Sequence, residues 1–169
     1  MSQVRVCFVC LGNICRSPIA EGVFRHLVAE AGLSEVFEID SAGTAGYHTG
    51  EPPDRRARAA GVRAGIVVSG RARQFMPSDF ARFDYVIAMD RANERELQVM
   101  ALEGDARGKI RLMRSFEPAA EPSAPTSGGT PLDVPDPYYG DDAAFDHVLE
   151  LCRVAAGGLI QLVRKERGF

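Results

Sequence analysis

Apolar residues run almost unbroken from Val4 to Val9, interrupted only by Arg5, and valine dominates the run. A strand with one wet face would alternate polar and apolar positions, so this run predicts a central parallel strand covered on both faces. A glycine-containing loop follows, and Ser17-Pro18 then opens a predicted helix. Ser17 suits the N-cap, Pro18 suits the first helical position, and Phe24, Leu27, Val28 and Ala31 recur at helical spacing.

Residues 36–39 read as a second short strand closed by the turn-like DSAGTAG, and residues 54–64 read as a helix whose end is blurred by Gly61 and Gly65. Further strands are expected at 85–89 and, more weakly, at 110–113, with a helix between them over 92–102. From about 142 to 165, Phe145, Val148, Leu149, Cys152, Ala155, Ala156, Leu159, Ile160 and Val163 share one face of a long amphipathic helix. Strands alternating with helices predict an α/β fold with a parallel sheet wrapped on both faces. Residues 117–134 break the pattern: they are crowded with proline, serine and glycine and read as a long surface loop. That stretch leads into Asp136-Pro137-Tyr138-Tyr139-Gly140.

Composition narrows the function classes. The 169 residues, 46% hydrophobic and 25% charged, fit one domain over 1–169 with a real core. A net charge of -3 argues against a nucleic-acid binder, which needs a basic surface. No run has the length of a membrane span, and the chain opens on strand-like VRVCFVC in place of a leader, so a cytoplasmic protein without a membrane partner is expected. In a reducing compartment its four cysteines read as reactive, buried or metal-binding and not as a disulfide framework.

Two of the four lie in VCLGNICRSP, residues 9–18. Cys10 ends the first predicted strand and Arg16 begins the next helix, which puts the loop at the carboxyl edge of the sheet, where open α/β proteins bind ligands. Such a loop can turn backbone N–H groups inward as an anion nest, and the helix amino terminus adds its positive end. The same field favours ionised sulfur, so Cys10 is expected to be largely thiolate and nucleophilic. Arg16 offers a planar fork able to hold two phosphate oxygens at once. Ser17 fits two roles, capping the helix or donating its hydroxyl to the thiolate. Gly12 and Asn13 suit a loop that needs positive φ.

Zinc is the competing account. It would need a second pair of nitrogen or sulfur ligands at regular spacing, and His26, His48, His147, Cys7 and Cys152 supply none. Cys7 and Cys152 fall on apolar faces and read as small buried hydrophobes. Cys15 is placed to capture an oxidised Cys10 as a reversible disulfide.

VCLGNICRSPIAEGVF together with DPYYG resembles the low-molecular-weight protein tyrosine phosphatases, and DSAG, EPPD, ARQ and FDYVIAMD extend the resemblance over essentially the whole chain. The resemblance implies a three-layer sandwich with a four-stranded parallel sheet in the order 2-1-3-4. It implies Cys10 as nucleophile, Arg16 as phosphate clamp and Asp136 as general acid and then base, with no cofactor and no metal. Leu11, Gly12, Asn13, Ile14, Cys15, Ser17 and Ser41 become phosphate-binding or loop-supporting positions, Ser17 as partner of the thiolate and Ser41 as a partner of Asn13.

Tyr47, Tyr138 and Tyr139 become the substrate wall, with packing of the acid loop as the other reading for the last two. Asp133, without flanking tyrosines, reads as a solvated loop carboxylate. The implied partners are a phosphotyrosine-bearing protein, a tyrosine kinase among the candidates, and inorganic phosphate or other oxyanions as product-like ligands. Protein arginine phosphatases of this scaffold carry threonine where this chain has Ile14, and arsenate reductases use further downstream cysteines. A silent phosphotyrosine-binding module would be expected to lose Cys10 or Asp136. The chain also departs from relatives at SGRARQ, which lacks their histidine before the basic residue, and in the length of the stretch before Asp136.

Overall fold

The computed structural model describes residues 2–118 and 132–169. Of the stretch expected to be a long surface loop, residues 119–131 lie outside the described residues. Four strands, β1 (Val4–Cys10), β2 (Phe37–Gly43), β3 (Tyr85–Ala88) and β4 (Ile110–Leu112), form one parallel sheet in the order β2-β1-β3-β4. Among the described residues the helices are α1 (Arg16–Glu30), α2 (Arg55–Ala64), α3 (Asp79–Arg82), α4 (Arg91–Met100), α5 (Gly104–Gly108) and α6 (Asp142–Arg167), with a 3-10 turn at Met113–Phe116. None of them is long and apolar enough to cross a membrane.

β1 is apolar on both sides because both sides are covered. Val4, Val6, Phe8 and Cys10 join the larger core with α1 and α6, while Cys7 and Val9 point into a second core with Phe75, Phe80, Phe83 and Leu97. α6 supplies the deepest layer. Its Phe145, Val148, Leu159 and Val163 are fully buried, each worth about 1.5–3 kcal/mol relative to exposure.

Three local expectations are corrected. DSAG is not a turn: Asp40–Gly43 continue β2, paired in register from Cys7↔Asp40 to Cys10↔Gly43, so neighbouring-strand hydrogen bonds override weak intrinsic preferences. α1 begins at Arg16 with Cys15 at the cap position and no side-chain cap, so Ser17 is inside the helix and does not cap it. Ala31 is the exposed C-cap residue, and the buried face of α1 is instead Ile19, Ala20, Val23, Phe24 and Val28.

The carboxyl ends of β1, β2 and β3 meet at Cys10, Gly43 and Ala88. The chain passes from β1 to β2 on one side and reaches β3 on the other, so the loop after Cys10 sits at the point where the strand order reverses. Crevices form there in open α/β sheets.

Candidate active site

The loop between β1 and α1 is held in shape by Asn13. Its φ of 57° makes it the one non-glycine residue with positive φ among the described residues, a conformation asparagine tolerates. Gly12, expected to share that role, does not have positive φ; a Cβ there would lie 2.9 Å from Cδ2 of His48, so any larger residue would have to turn the His48 ring aside.

Buried at 2% exposure, Asn13 organises a directional network. Its Oδ1 accepts from the Arg73 backbone N–H at 3.0 Å, which fixes the amide orientation. Its Nδ2 therefore donates to Ser17 Oγ at 2.8 Å and to Ser41 Oγ at 3.0 Å. Ser41 in turn donates to Glu21 at 2.7 Å. Ser17 Oγ, with an acceptor position filled by Asn13, lies 3.0 Å from Cys10 Sγ, and the Asn13 backbone N–H donates to the same sulfur at 3.3 Å. Of the two roles open to Ser17, the geometry selects contact with sulfur. The first N–H groups of α1 lack intrahelical acceptors and add their positive end to the loop.

Arg16, 3% exposed, is fixed from the opposite side. Its Nη1 donates to Asp90 Oδ2 at 2.6 Å and to the Val134 carbonyl at 3.1 Å. Burial works against the charge, but the Cys10 sulfur and the Asp90 hydrogen bond outweigh it and hold the guanidinium above its ordinary pKa. Its Nη2 faces Asp136 Oδ2 at 3.7 Å. Asp136 closes its own turn by accepting from the Tyr138 N–H at 3.1 Å.

These groups open on a cleft of about 260 Å³ lined by Cys10, Leu11, Gly12, Ile14, Cys15, Arg16, Tyr47, His48, Asp136, Tyr138 and Tyr139. Asn13, Ser17 and Ser41 stand behind it, linked to the sulfur through the hydrogen bonds above. Tyr47 is 66% exposed and Tyr139 96%, so both are rim residues. Tyr138 lines the cleft while its ring packs under Arg56. Cys15 is pushed up to about 12, by burial first and then by Asp54, and so carries its proton. Asp133 is more than a solvated carboxylate: it accepts from the Arg91 backbone N–H at 3.0 Å at the start of α4.

The sequence reading missed Asp90, Glu21, Arg73 and His48. Asp90 carried the clearest signal, an acid between a strand and a helix. It does cap α4, accepting from the Asn93 N–H at 2.7 Å, but its second oxygen serves Arg16.

A parallel α/β sheet that sets a buried cysteine, an arginine and a helix amino terminus in one loop at its carboxyl edge is an arrangement that can hold an oxyanion. The family is more specific. The family model for low molecular weight phosphotyrosine protein phosphatase matches residues 5–168, and the chain belongs to that family. It is 46% identical to a low molecular weight protein-tyrosine-phosphatase of Streptomyces coelicolor, over 96% of this chain and 94% of the relative. It is 45% identical to the Homo sapiens low molecular weight phosphotyrosine protein phosphatase, over 87% of each. Among solved structures it resembles a protein tyrosine phosphatase from Entamoeba histolytica with Hepes in the active site, at TM-score 0.86 and 37% identity, covering 98% of this chain and 99% of the other.

Proposed function

We propose that this protein hydrolyses phosphotyrosine monoesters through a phosphocysteine intermediate, with Cys10 as nucleophile, Arg16 as phosphate clamp and Asp136 as proton donor and acceptor. The observation that carries the reading is the convergence on one sulfur of the Ser17 hydroxyl at 3.0 Å and the Asn13 N–H at 3.3 Å, in a cleft shared by Arg16 and Asp136. Both contacts point at the one sulfur that faces the cleft with Arg16 and Asp136, the placement that a cysteine nucleophile needs.

Cys10 Sγ attacks phosphorus; the Sγ–P bond forms as the bond from phosphorus to the phenolic oxygen breaks. The protonated Asp136 carboxyl gives its proton to that oxygen, so tyrosine leaves neutral. Asp136 then takes a proton from a water that attacks phosphorus, the Sγ–P bond breaks, and inorganic phosphate is released. Arg16 balances the charge on the transferring group, and its pairing with Asp90 keeps the fork from following the substrate out. Leu11, Ile14, Tyr47 and Tyr138 give the cleft apolar and aromatic walls suited to a phenyl ring, which a phosphoserine cannot reach across to fill. The Entamoeba relative accommodates Hepes, a sulfonate buffer, in its active site, in keeping with an oxyanion-binding family.

Rapid quenching of turnover with a radiolabelled phosphotyrosine peptide tests the reading. Label is expected on Cys10, and full activity in Cys10→Ser refutes the assignment. Comparing phosphotyrosine, phosphoserine and phosphoarginine peptides in wild type and Ile14→Thr tests the substrate class; a preference for phosphoarginine in the wild type overturns it.

A further inference from the structure

The turn that carries Asp136 is tied to the nucleophile loop by a cation that belongs to neither. Asp54 begins the tie: its backbone N–H donates to the Ile14 carbonyl at 2.8 Å, fastening the start of α2 to the loop around Cys10. Its carboxylate caps α2 by accepting from the Arg56 N–H at 2.8 Å and grips the Arg56 guanidinium with both oxygens, Nε to Oδ1 at 3.1 Å and Nη2 to Oδ2 at 3.1 Å. The remaining nitrogen, Nη1, donates at 3.0 Å to the carbonyl of Gly140, the last residue of DPYYG.

The guanidinium also lies over two rings, 4.5 Å from the centroid of Phe145 and 5.6 Å from that of Tyr138. Phe145 is fully buried in α6, so the cation has a rigid floor. On the far side of Gly140 the turn closes on itself, with the Gly140 N–H donating to Pro137 at 2.8 Å and the Tyr138 N–H to Asp136 at 3.1 Å. A path of hydrogen bonds therefore runs from the Ile14 carbonyl through Asp54, Arg56 and Gly140 to the Pro137 carbonyl, and the Pro137–Tyr138 peptide carries it to the Asp136 carboxylate.

We propose that Arg56 is a positioning residue for proton transfer: by clamping Gly140 and Tyr138 against α2 and α6, it sets where Asp136 stands relative to Cys10. Arg56 lines no part of the cleft, and all three of its nitrogens are committed elsewhere, so it acts through the turn and not on the substrate. The proposal rests on the assignment of Asp136 as proton donor. Arginine is required because a planar fork can bind a carboxylate with two N–H groups, donate sideways with a third nitrogen and stack on rings at once, whereas an ammonium cannot. A misplacement of about 1 Å in such a group costs on the order of a hundredfold in rate.

The test is a cycle of kcat/KM measurements on phenyl phosphate, a poor leaving group, and para-nitrophenyl phosphate, a good one. It uses wild type, Arg56→Lys, Arg56→Met, Asp136→Asn and the two double variants. Both Arg56 substitutions are expected to lower kcat/KM for phenyl phosphate by about 10- to 100-fold and for para-nitrophenyl phosphate by about threefold or less, lysine failing although it keeps the charge. In the Asp136→Asn background the same substitutions are expected to change either rate by about twofold or less, because the group they position is gone. Losses that add in the double variants, or full activity in Arg56→Lys, overturn the proposal.

Amide hydrogen exchange separates this from failure of the Asp136 assignment. In Arg56→Met the N–H groups of Tyr138 and Gly140 should exchange about tenfold faster while inhibition by inorganic phosphate is unchanged. Unaltered exchange, or weaker phosphate inhibition, overturns the anchor even if Asp136 proves to be the acid. If Asp136→Asn itself treats both leaving groups alike while exchange behaves as expected, the assignment of the acid fails and the anchor stands.

Discussion

Replacing Asn13 by glycine and, separately, by alanine separates the two ways in which one residue holds the loop. The side chain makes three hydrogen bonds, to Ser17 at 2.8 Å, to Ser41 at 3.0 Å and from the Arg73 N–H at 3.0 Å. At about 1 kcal/mol net for each of the two bonds it donates, plus about 1–3 kcal/mol for leaving the Arg73 N–H without an acceptor, their loss amounts to about 3–5 kcal/mol. Glycine adopts a φ of 57° freely, whereas an alanine there carries a left-handed penalty of about 1–2 kcal/mol, offset by about 0.4–1 kcal/mol from its stiffer unfolded chain. Asn13→Ala should therefore be about 1 kcal/mol less stable than Asn13→Gly, and both should melt roughly 10 °C below wild type for a domain of this size. Urea unfolding followed by circular dichroism suits a chain with no tryptophan. Turnover of a phosphotyrosine peptide should fall in both variants alike, since each frees the Ser17 hydroxyl to turn away from sulfur. If glycine and alanine lose the same stability, and less than about 1 kcal/mol, neither the backbone strain nor the network holds the loop, and the reasoning is refuted.

Asp136→Ala should cost phenyl phosphate about 100-fold or more in kcat/KM and para-nitrophenyl phosphate about tenfold or less; equal losses would mean that Asp136 only shapes the turn. Burial pushes the Cys7 thiol up and holds Cys15 and Cys152 at about 12, so each keeps a proton that the unfolded chain releases near its ordinary value. These folded values are raised, so the stability they contribute is complete below about pH 8.5 and is lost toward pH 12 at about 1.4 kcal/mol per pH unit for each thiol. In reductant, the alkaline fall of the urea midpoint should be shallower in Cys152→Ala, and parallel curves would contradict it. A Cβ on Gly158 would lie 1.7 Å from the Phe116 carbonyl oxygen, whereas one on Gly157 meets nothing within 4 Å. Gly158→Ala should therefore lose about 3 kcal/mol or more while Gly157→Ala is neutral or gains about 1 kcal/mol, and equal melting temperatures would discredit the close approach. Mild peroxide should oxidise Cys10 to the sulfenic acid, which condenses with Cys15 to a disulfide and water, about tenfold faster per pH unit because Cys15 must first ionise; peptide maps showing only sulfinic acid at Cys10 would reject this.

What could be read from the chain was whatever a single element announces by itself. β1 and α6 bury long faces, and their patterns are correspondingly plain. α3 and α5, of four and five residues, have no period to detect; Phe80 anchors the first of them in a core that does not exist until the sheet forms. Ser17 fits both a cap and a sulfur contact in sequence because a one-residue shift at a helix start leaves the same residue types in place, and only the fold tells which way the hydroxyl turns. The site divides along the same line. Cys10 and Arg16 share one loop and Asp136 sits in an unusual pentapeptide, so both were legible. Asp90, Glu21, Arg73 and Arg56 each look like an ordinary charged residue at a helix end or on a surface, and their roles arise from partners 20 to 84 positions away in the chain.

The four cysteines show how the fold separates chemistry from composition. Exposure does not distinguish them: Cys7 and Cys152 are 0% exposed, Cys10 3% and Cys15 5%. Cys7 and Cys10 even belong to the same strand, on opposite faces of the sheet. Three of the thiols meet mainly apolar surroundings or carboxylates, which penalise charge on sulfur. Cys10 differs in having a serine hydroxyl 3.0 Å and a backbone N–H 3.3 Å from its sulfur, in the cleft it shares with Arg16. Asn13 fills an acceptor position of Ser17, whose hydroxyl then lies 3.0 Å from the Cys10 sulfur and 3.4 Å from the Ala42 carbonyl, the sulfur being the nearer, and Asn13 is held by Arg73 and, through Ser41, by Glu21. A small alkylating reagent that enters the cleft meets both Cys10 and Cys15, and it should modify Cys10 selectively at neutral pH and lose that selectivity over Cys15 in Ser17→Ala, since the cleft gives access to both sulfurs and only Cys10 has the Ser17 hydroxyl against it; unchanged selectivity in Ser17→Ala would contradict this.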